Sequence, residues 1–360
     1  MRRSAFSSGP SLAIFALLLA LTAEGQMDTW SGRLHGGYVL PHREEMNALV
    51  TGHARGVGFR MGTAGKEDWR SGWSRKGDVW QGVELGWLYG GSASLGHVIS
   101  ALWILELPIS KSAHAEVGAG LGWATAPYDM QDRPLSIALG THLNAGLHLA
   151  LSQQLRTFNS SVLSLSGGLT HFSNGAVQLP NLGINNIHLG LTLERRGNAR
   201  ATDEATLLTT GSNDAEHFAR WTTTAAVRAG VRDVPLAGKP LHPISSAMIA
   251  TERRWNQRWG CLFALDITYN QSLRALSSEP LATNERIQLA SGIGNQWHFG
   301  RAHLALLQGW VWTNPDHILG RRHLHTALAY EINEHVSFEI GLRSFRLRAD
   351  YTFLGIRCRL

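Results

Sequence analysis

The residues with the most chemical potential stand two apart, His171 and Ser173 in the stretch LTHFSNG. In an extended strand, side chains i and i+2 leave the same face about 7 Å apart at the backbone. A serine hydroxyl is a poor nucleophile until a base takes its proton, and histidine is the usual base near neutral pH. Asn174 and Gly175 follow at once, offering an amide donor and unhindered backbone N–H groups to an oxyanion. A base in turn needs a group to orient it, and Asn185, across the next loop, is the candidate. A His-x-Ser pair at a strand end is also ordinary turn chemistry, so the spacing alone does not decide.

The elements around these residues must be strands. In the segment 161 to 173, Leu163, Leu165, Gly167, Leu169, His171 and Ser173 share one face, and Val162, Ser164, Ser166, Gly168, Thr170 and Phe172 share the other. The polar pair has therefore joined the apolar face. In the following strand Ile187, Leu189, Leu191 and Leu193 form the apolar face, and Asn185 has their parity. If the two strands pair as a hairpin, His171, Ser173 and Asn185 point to one side. Glu194 has the opposite parity and is a poor third member. The amide oxygen of Asn185 can accept an imidazole N–H, but it brings no full negative charge to stabilise imidazolium.

From about Gly32 onward the chain alternates with period two in segments of about ten residues, punctuated by Gly, Pro, Asn and Asp. Sixteen segments are expected as strands, near 33–40, 52–62, 79–89, 97–108, 114–125, 142–154, 161–173, 186–196, 219–231, 243–254, 259–270, 286–299, 301–312, 321–332, 335–347 and 349–360. In GCLFALDITYN, Cys261, Phe263, Leu265, Ile267 and Tyr269 oppose Leu262, Ala264, Asp266, Thr268 and Asn270. In the last strand Leu354, Ile356, Cys358 and Leu360 oppose Gly355, Arg357 and Arg359. This partition fits an all-β antiparallel transmembrane barrel of the outer-membrane kind, apolar outside and polar within. Trp87, Trp103, Trp123, Trp297, Trp310 and Trp312 fall toward strand ends, as interfacial girdles require. Periodicity cannot distinguish this from a soluble barrel turned outside-in, so a secreted binding barrel stays as an alternative. The expected architecture is one large barrel of 12–16 strands, since neither half alone shows a closing signal. Residues 26–197 would form the half carrying the candidate site, 198–217 a long polar loop or linker, and 218–360 the additional strands.

MRR, the apolar run LAIFALLLALTA and Ala23-Glu24-Gly25 read as a secretory signal over residues 1–25, which implies export to the periplasm or outer membrane of a Gram-negative cell. Beyond it no apolar run is long enough for a helical span. The formal charge is +6; without Arg2, Arg3 and Glu24, 31 basic and 26 acidic side chains remain, or +5. No aromatic-basic cluster accompanies this excess, so nucleic acid is not expected as a partner. Two cysteines, Cys261 and Cys358, rule out a disulfide framework and leave a single bridge open.

Three other signals are set aside. His323 and His325 share a face but lack a third ligand at matching spacing. HREEM at His42 lacks the second histidine of a zinc protease motif, and GAGLGW (Gly118, Gly120, Gly122) has no βαβ context, so its glycines read as lumen or close-packing positions. No Gly-x-Ser-x-Gly elbow occurs.

The block HFSNG, then LPNLGIN, then IHLGLTL closely resembles the His-x-Ser-Asn region of the lipid A 3-O-deacylase (PagL) and acyloxyacyl hydrolase family. LPHREEM, TGHARGVGF, KEDW, GVELGWLYGG, ALWILELPI, AGLGWATAPYD, IALGTHLNAGLHLAL and the closing RADYTFLGIRCRL are similar to its longer, Bacteroidetes-type members. The resemblance implies an outer-membrane barrel that hydrolyses an ester-linked acyl chain of lipid A, with Ser173 as nucleophile, His171 as base and Asn174 at the oxyanion hole. The family's acidic member follows the Gly-Ile pair, where this chain has Asn185. The expected partners are lipopolysaccharide and the outer membrane, with a homodimer as the assembly to consider and no cofactor. A porin-like or structural barrel without activity is the competing expectation, favoured by the missing acid.

Overall fold

The computed structural model describes residues 29–65, 73, 77–196, 221–234, 241–313, 320–346 and 348–360. The expected signal at 1–25 and linker at 198–217 lie outside these residues. Sixteen strands are present: β1 (Thr29–Val39), β2 (Ala54–Gly65), β3 (Val79–Tyr89), β4 (His97–Pro108), β5 (Ala113–Ala124), β6 (Leu143–Phe158), β7 (Ser161–Ser173), β8 (Ile184–Arg196), β9 (Trp221–Arg232), β10 (His242–Arg254), β11 (Trp259–Asn270), β12 (Ile287–Phe299), β13 (Ala302–Val311), β14 (Arg322–Glu331), β15 (Val336–Phe345) and β16 (Arg348–Arg359). No described helix is long and apolar enough to cross a membrane; α1 (Glu44–Asn47), in the β1–β2 loop, is a single turn.

The strands close into two barrels, correcting the expectation of one. β8 turns back to pair with β1 from Thr29↔Arg196 to Val39↔Asn186, and β16 pairs with β9 from Thr352↔Val231 to Arg359↔Thr224. Each eight-stranded sheet thus removes its own free edge. Alternation records which face a residue occupies and nothing about which strand it meets, so closure left no trace in the pattern. The chain divides into two compact units, as the two closed barrels require.

The walls are apolar outward. Leu34, Leu149, Ile187, Leu189, Leu191 and Leu193 are exposed on the first barrel, as are Val227, Ile249, Leu265, Ile293 and Ile356 on the second. Trp123 and Trp312 are exposed near strand ends, whereas Trp103 is buried (6% exposed) and belongs to no girdle.

The lumens are filled, as the small diameter of an eight-stranded barrel demands. In the first, Arg33 bonds both oxygens of Glu116 (2.9 and 2.7 Å) and Thr192 (3.0 Å), while Arg60 reaches Glu106 at 2.6 Å. Toward the other end lies an apolar plug that includes Val39, Met46, Leu102, Phe172 and Ile184. In the second barrel Glu339 is shared by Arg228 and Arg357, and Arg343 bonds Asp350 at 2.8 Å. His323 and His325 are buried on this lumen side, His325 stacked on Phe353. Cys261 and Cys358 are both free, which resolves the open bridge.

Candidate active site

The site lies where β7 enters its loop to β8. Connections 40–53, 90–96, 125–142 and 174–183 gather at this end of the first barrel, while β2–β3, β4–β5 and β6–β7 join at the other, the last two through short turns, 109–112 and 159–160. Long loops mark the extracellular end of outer-membrane barrels.

Strand register builds the constellation. His171 sits directly opposite Asn185 in the β7–β8 ladder, and Leu147 opposite His171 on β6. Directly opposed antiparallel residues have Cβ atoms about 5 Å apart, within reach of a side-chain hydrogen bond. The His171 Nδ1 and Asn185 Oδ1 atoms are 2.6 Å apart, and His171 Nε2 lies 3.0 Å from Ser173 Oγ. With Nδ1–H donating to the amide oxygen, Nε2 carries a lone pair toward the serine hydroxyl. This is the tautomer a general base requires.

All three groups point away from the lumen, on the face of exposed Leu147, Ile187 and Leu189. Their backing is the core. Phe172 (2% exposed) and Ile184 form the inward pair immediately beside His171 and Asn185. Room for the Phe172 ring comes from Gly122 and Gly146, where a Cβ would stand 2.6 and 2.9 Å from its ring atoms. Gly122 is one of the glycines expected to serve packing, and it does so under the site.

Asn174 is buried, and its backbone N–H donates to Asn181 Oδ1 at 3.2 Å. An oxyanion donor at this position would therefore be the Asn174 side chain or a later backbone N–H. Gly175 and Ala176 both hold positive φ, +62 and +69. For alanine that conformation is uncommon and belongs to tightly constrained turns. Glu194 sits inward at the far end of β8, away from His171.

One contact was not foreseen. His42 Nδ1 accepts from Asn185 Nδ2 at 2.9 Å, extending the chain of hydrogen bonds to Ser173–His171–Asn185–His42. HREEM carries half of a zinc motif and lies in a stretch similar to the longer family members, but neither signal gives His42 a role beside Asn185, 143 positions further along the chain. Among the described residues no cluster of three or more His, Cys, Asp or Glu could hold a metal ion.

Fold and site together define a β-barrel that carries a hydrogen-bonded serine–histidine–amide row on its outer wall. Residues 53–194 match the family described as lipid A 3-O-deacylase (PagL), and residues 219–359 match the acyloxyacyl hydrolase C-terminal domain. The chain belongs to this family of outer-membrane β-barrel hydrolases that act on lipid A acyl esters. No functionally curated protein matches the chain. Among solved structures, two mutants of the porin from Rhodopseudomonas blastica are each 11% identical over 92% of this chain and 99% of theirs, with TM-scores of 0.20 and 0.19. Scores so low give the porin likeness no weight.

Proposed function

We propose that the protein is a serine esterase of the outer membrane, exported by its N-terminal signal, that removes an ester-linked acyl chain from lipid A. Ser173 Oγ attacks the acyl carbonyl while His171 Nε2 takes its proton. The tetrahedral oxyanion is held by the Asn174 side chain and the N–H groups after it, Gly175 first. His171 returns the proton to the departing sugar oxygen, and water then releases the fatty acid from the acyl-serine by the same base.

The observation that carries this reading is the pair of contacts at His171, 2.6 Å to Asn185 and 3.0 Å to Ser173, on the outward face at the long-loop end. An ester buried beneath a lipid headgroup meets the barrel on that face. Polar groups there are tolerated because water reaches the interface. The competing porin-like reading needs an open lumen, whereas the first barrel's is occupied by Arg33, Arg60, Glu84, Glu116 and His148.

Mass spectrometry of lipid A from cells expressing the wild type, Ser173→Ala or His171→Ala tests the proposal. A one-chain mass loss is expected for the wild type alone. Identical spectra from all three would remove the hydrolase reading.

A further inference from the structure

An amide in place of a carboxylate creates a problem that the serine-esterase reading does not solve by itself. A carboxylate presents equivalent oxygens, while the two ends of the Asn185 side chain differ. Turned one way, Oδ1 accepts the Nδ1–H of His171 and leaves Nε2 free to take the Ser173 proton. Turned the other way, Nδ2 would face His171 Nδ1, which must then be the lone-pair nitrogen. The ring proton moves to Nε2, and the base can no longer accept from serine. A wrong tautomer in a serine triad costs about 10⁴-fold in rate.

We propose that His42 is a positioning residue that locks the Asn185 amide in the productive orientation, and through it the tautomer of His171. This inference rests on the esterase reading above. His42 Nδ1 lies 2.9 Å from Asn185 Nδ2, an atom that only donates, so the imidazole supplies the lone pair that tells the two amide ends apart. Reversing the amide would set Oδ1 against that lone pair unless the His42 proton moved from Nε2 to Nδ1, where the Leu40 carbonyl at 3.4 Å is a second acceptor; the shorter contact, 2.9 Å to Asn185 Nδ2, favours the Nε2–H form. His42 itself is held from both sides. Leu40 N–H donates to the carbonyl of Asn185 at 2.7 Å, so the chain leaves β1 beside its target. Four residues after His42, Met46 is 0% exposed, and Leu49 and Val50 join it in the apolar plug. A loop pinned at both ends presents one exposed histidine to the amide.

The test uses the full chain in detergent micelles and a fluorophosphonate probe of Ser173. Oγ attacks phosphorus, fluoride leaves, and the hydroxyl proton passes to His171, so the readout needs no lipid A. Labelling rates are compared for the wild type, His42→Ala, Asn185→Asp and the double variant. His42→Ala should slow labelling about tenfold in the wild-type background, the equivalent of one hydrogen bond. In the Asn185→Asp background, where the two ends are equivalent, the same change should cost less than about twofold. Equal slowing in both backgrounds would assign His42 a merely structural role and overturn the proposal. Nitrogen-15 spectra of the His171 ring supply a second measurement, expected to show a single Nδ1-protonated form in the wild type and a mixture in His42→Ala. An unchanged tautomer would also overturn it. A wild type inert toward both probe and lipid A would instead sink the esterase reading, and the ring spectra would still decide the role of His42.

Discussion

Gly183 lies against the imidazole of His171: a Cβ placed on it would stand 2.9 Å from Cε1. Its φ of +83 is a conformation that other residues adopt only with strain, of order 1–2 kcal/mol. Both facts belong to the Gly-Ile-Asn run that leads into β8. The glycine lets the chain turn beneath the ring, so that Asn185 can meet Nδ1.

Gly183→Ala should therefore displace the His171 ring while the barrel still closes. Hydrolysis or Ser173 labelling should fall by up to about a hundredfold, as small misplacements of a catalytic group do. Heat-modifiable mobility on a gel should remain that of the wild type. Full activity in this variant would mean the ring tolerates a different seat.

The lumen of the first barrel gives a prediction about stability. Arg33 and Glu116 are 2% and 1% exposed, and Arg33 Nη2 donates to both carboxylate oxygens. Arg33→Met leaves the carboxylate of Glu116 without that partner and should destabilise by about 3–5 kcal/mol. In Arg33→Met/Glu116→Leu the unpaired charge is gone, and much of the loss should return. Urea unfolding of lipid-reconstituted protein measures both. A double variant no better than the single one would place the loss in the other contacts of Arg33, to Glu84 at 3.4 Å and Thr192 at 3.0 Å, and in its packing.

Leu189 is 66% exposed near the middle of β8. On a lipid-facing wall, Leu189→Arg should cost about 2–4 kcal/mol in a bilayer, since arginine is poorly tolerated at the midplane. Were the same surface bathed in water, the substitution would be close to neutral. Folding stability in vesicles separates the two cases.

Independent closure makes a prediction about fragments. Because β8 pairs with β1 along eleven register positions, a chain of residues 26–197 should form a closed barrel without the rest. Refolding into micelles, followed by circular dichroism and heat-modifiable mobility, reads this directly. Persistent aggregation of the fragment, while the full chain refolds, would make the second half necessary to the first.

Much of this was legible from residues alone. Alternation of the type seen in GCLFALDITYN located the sixteen strands to within a few residues and sorted each side chain to a wall or a lumen. That His171, Ser173 and Asn185 share the apolar face followed from parity; that this face is the outer one came from the exposure of Leu147, Ile187 and Leu189. Trp103 shows the limit: its place in β4 was readable, its burial was not.

Sequence by itself determined what is periodic and local: strand content, the sidedness of each strand, and a histidine two residues from a serine. Extended backbone forces successive side chains to opposite faces, so these properties need no knowledge of distant neighbours. Tertiary structure alone decided which strands close on which, making two eight-stranded barrels from sixteen strands, and which loop residue reaches the Asn185 amide. Edge-to-edge hydrogen bonding uses backbone groups common to nearly all residues, and His42 meets Asn185 only after β1 and β8 have been zipped together.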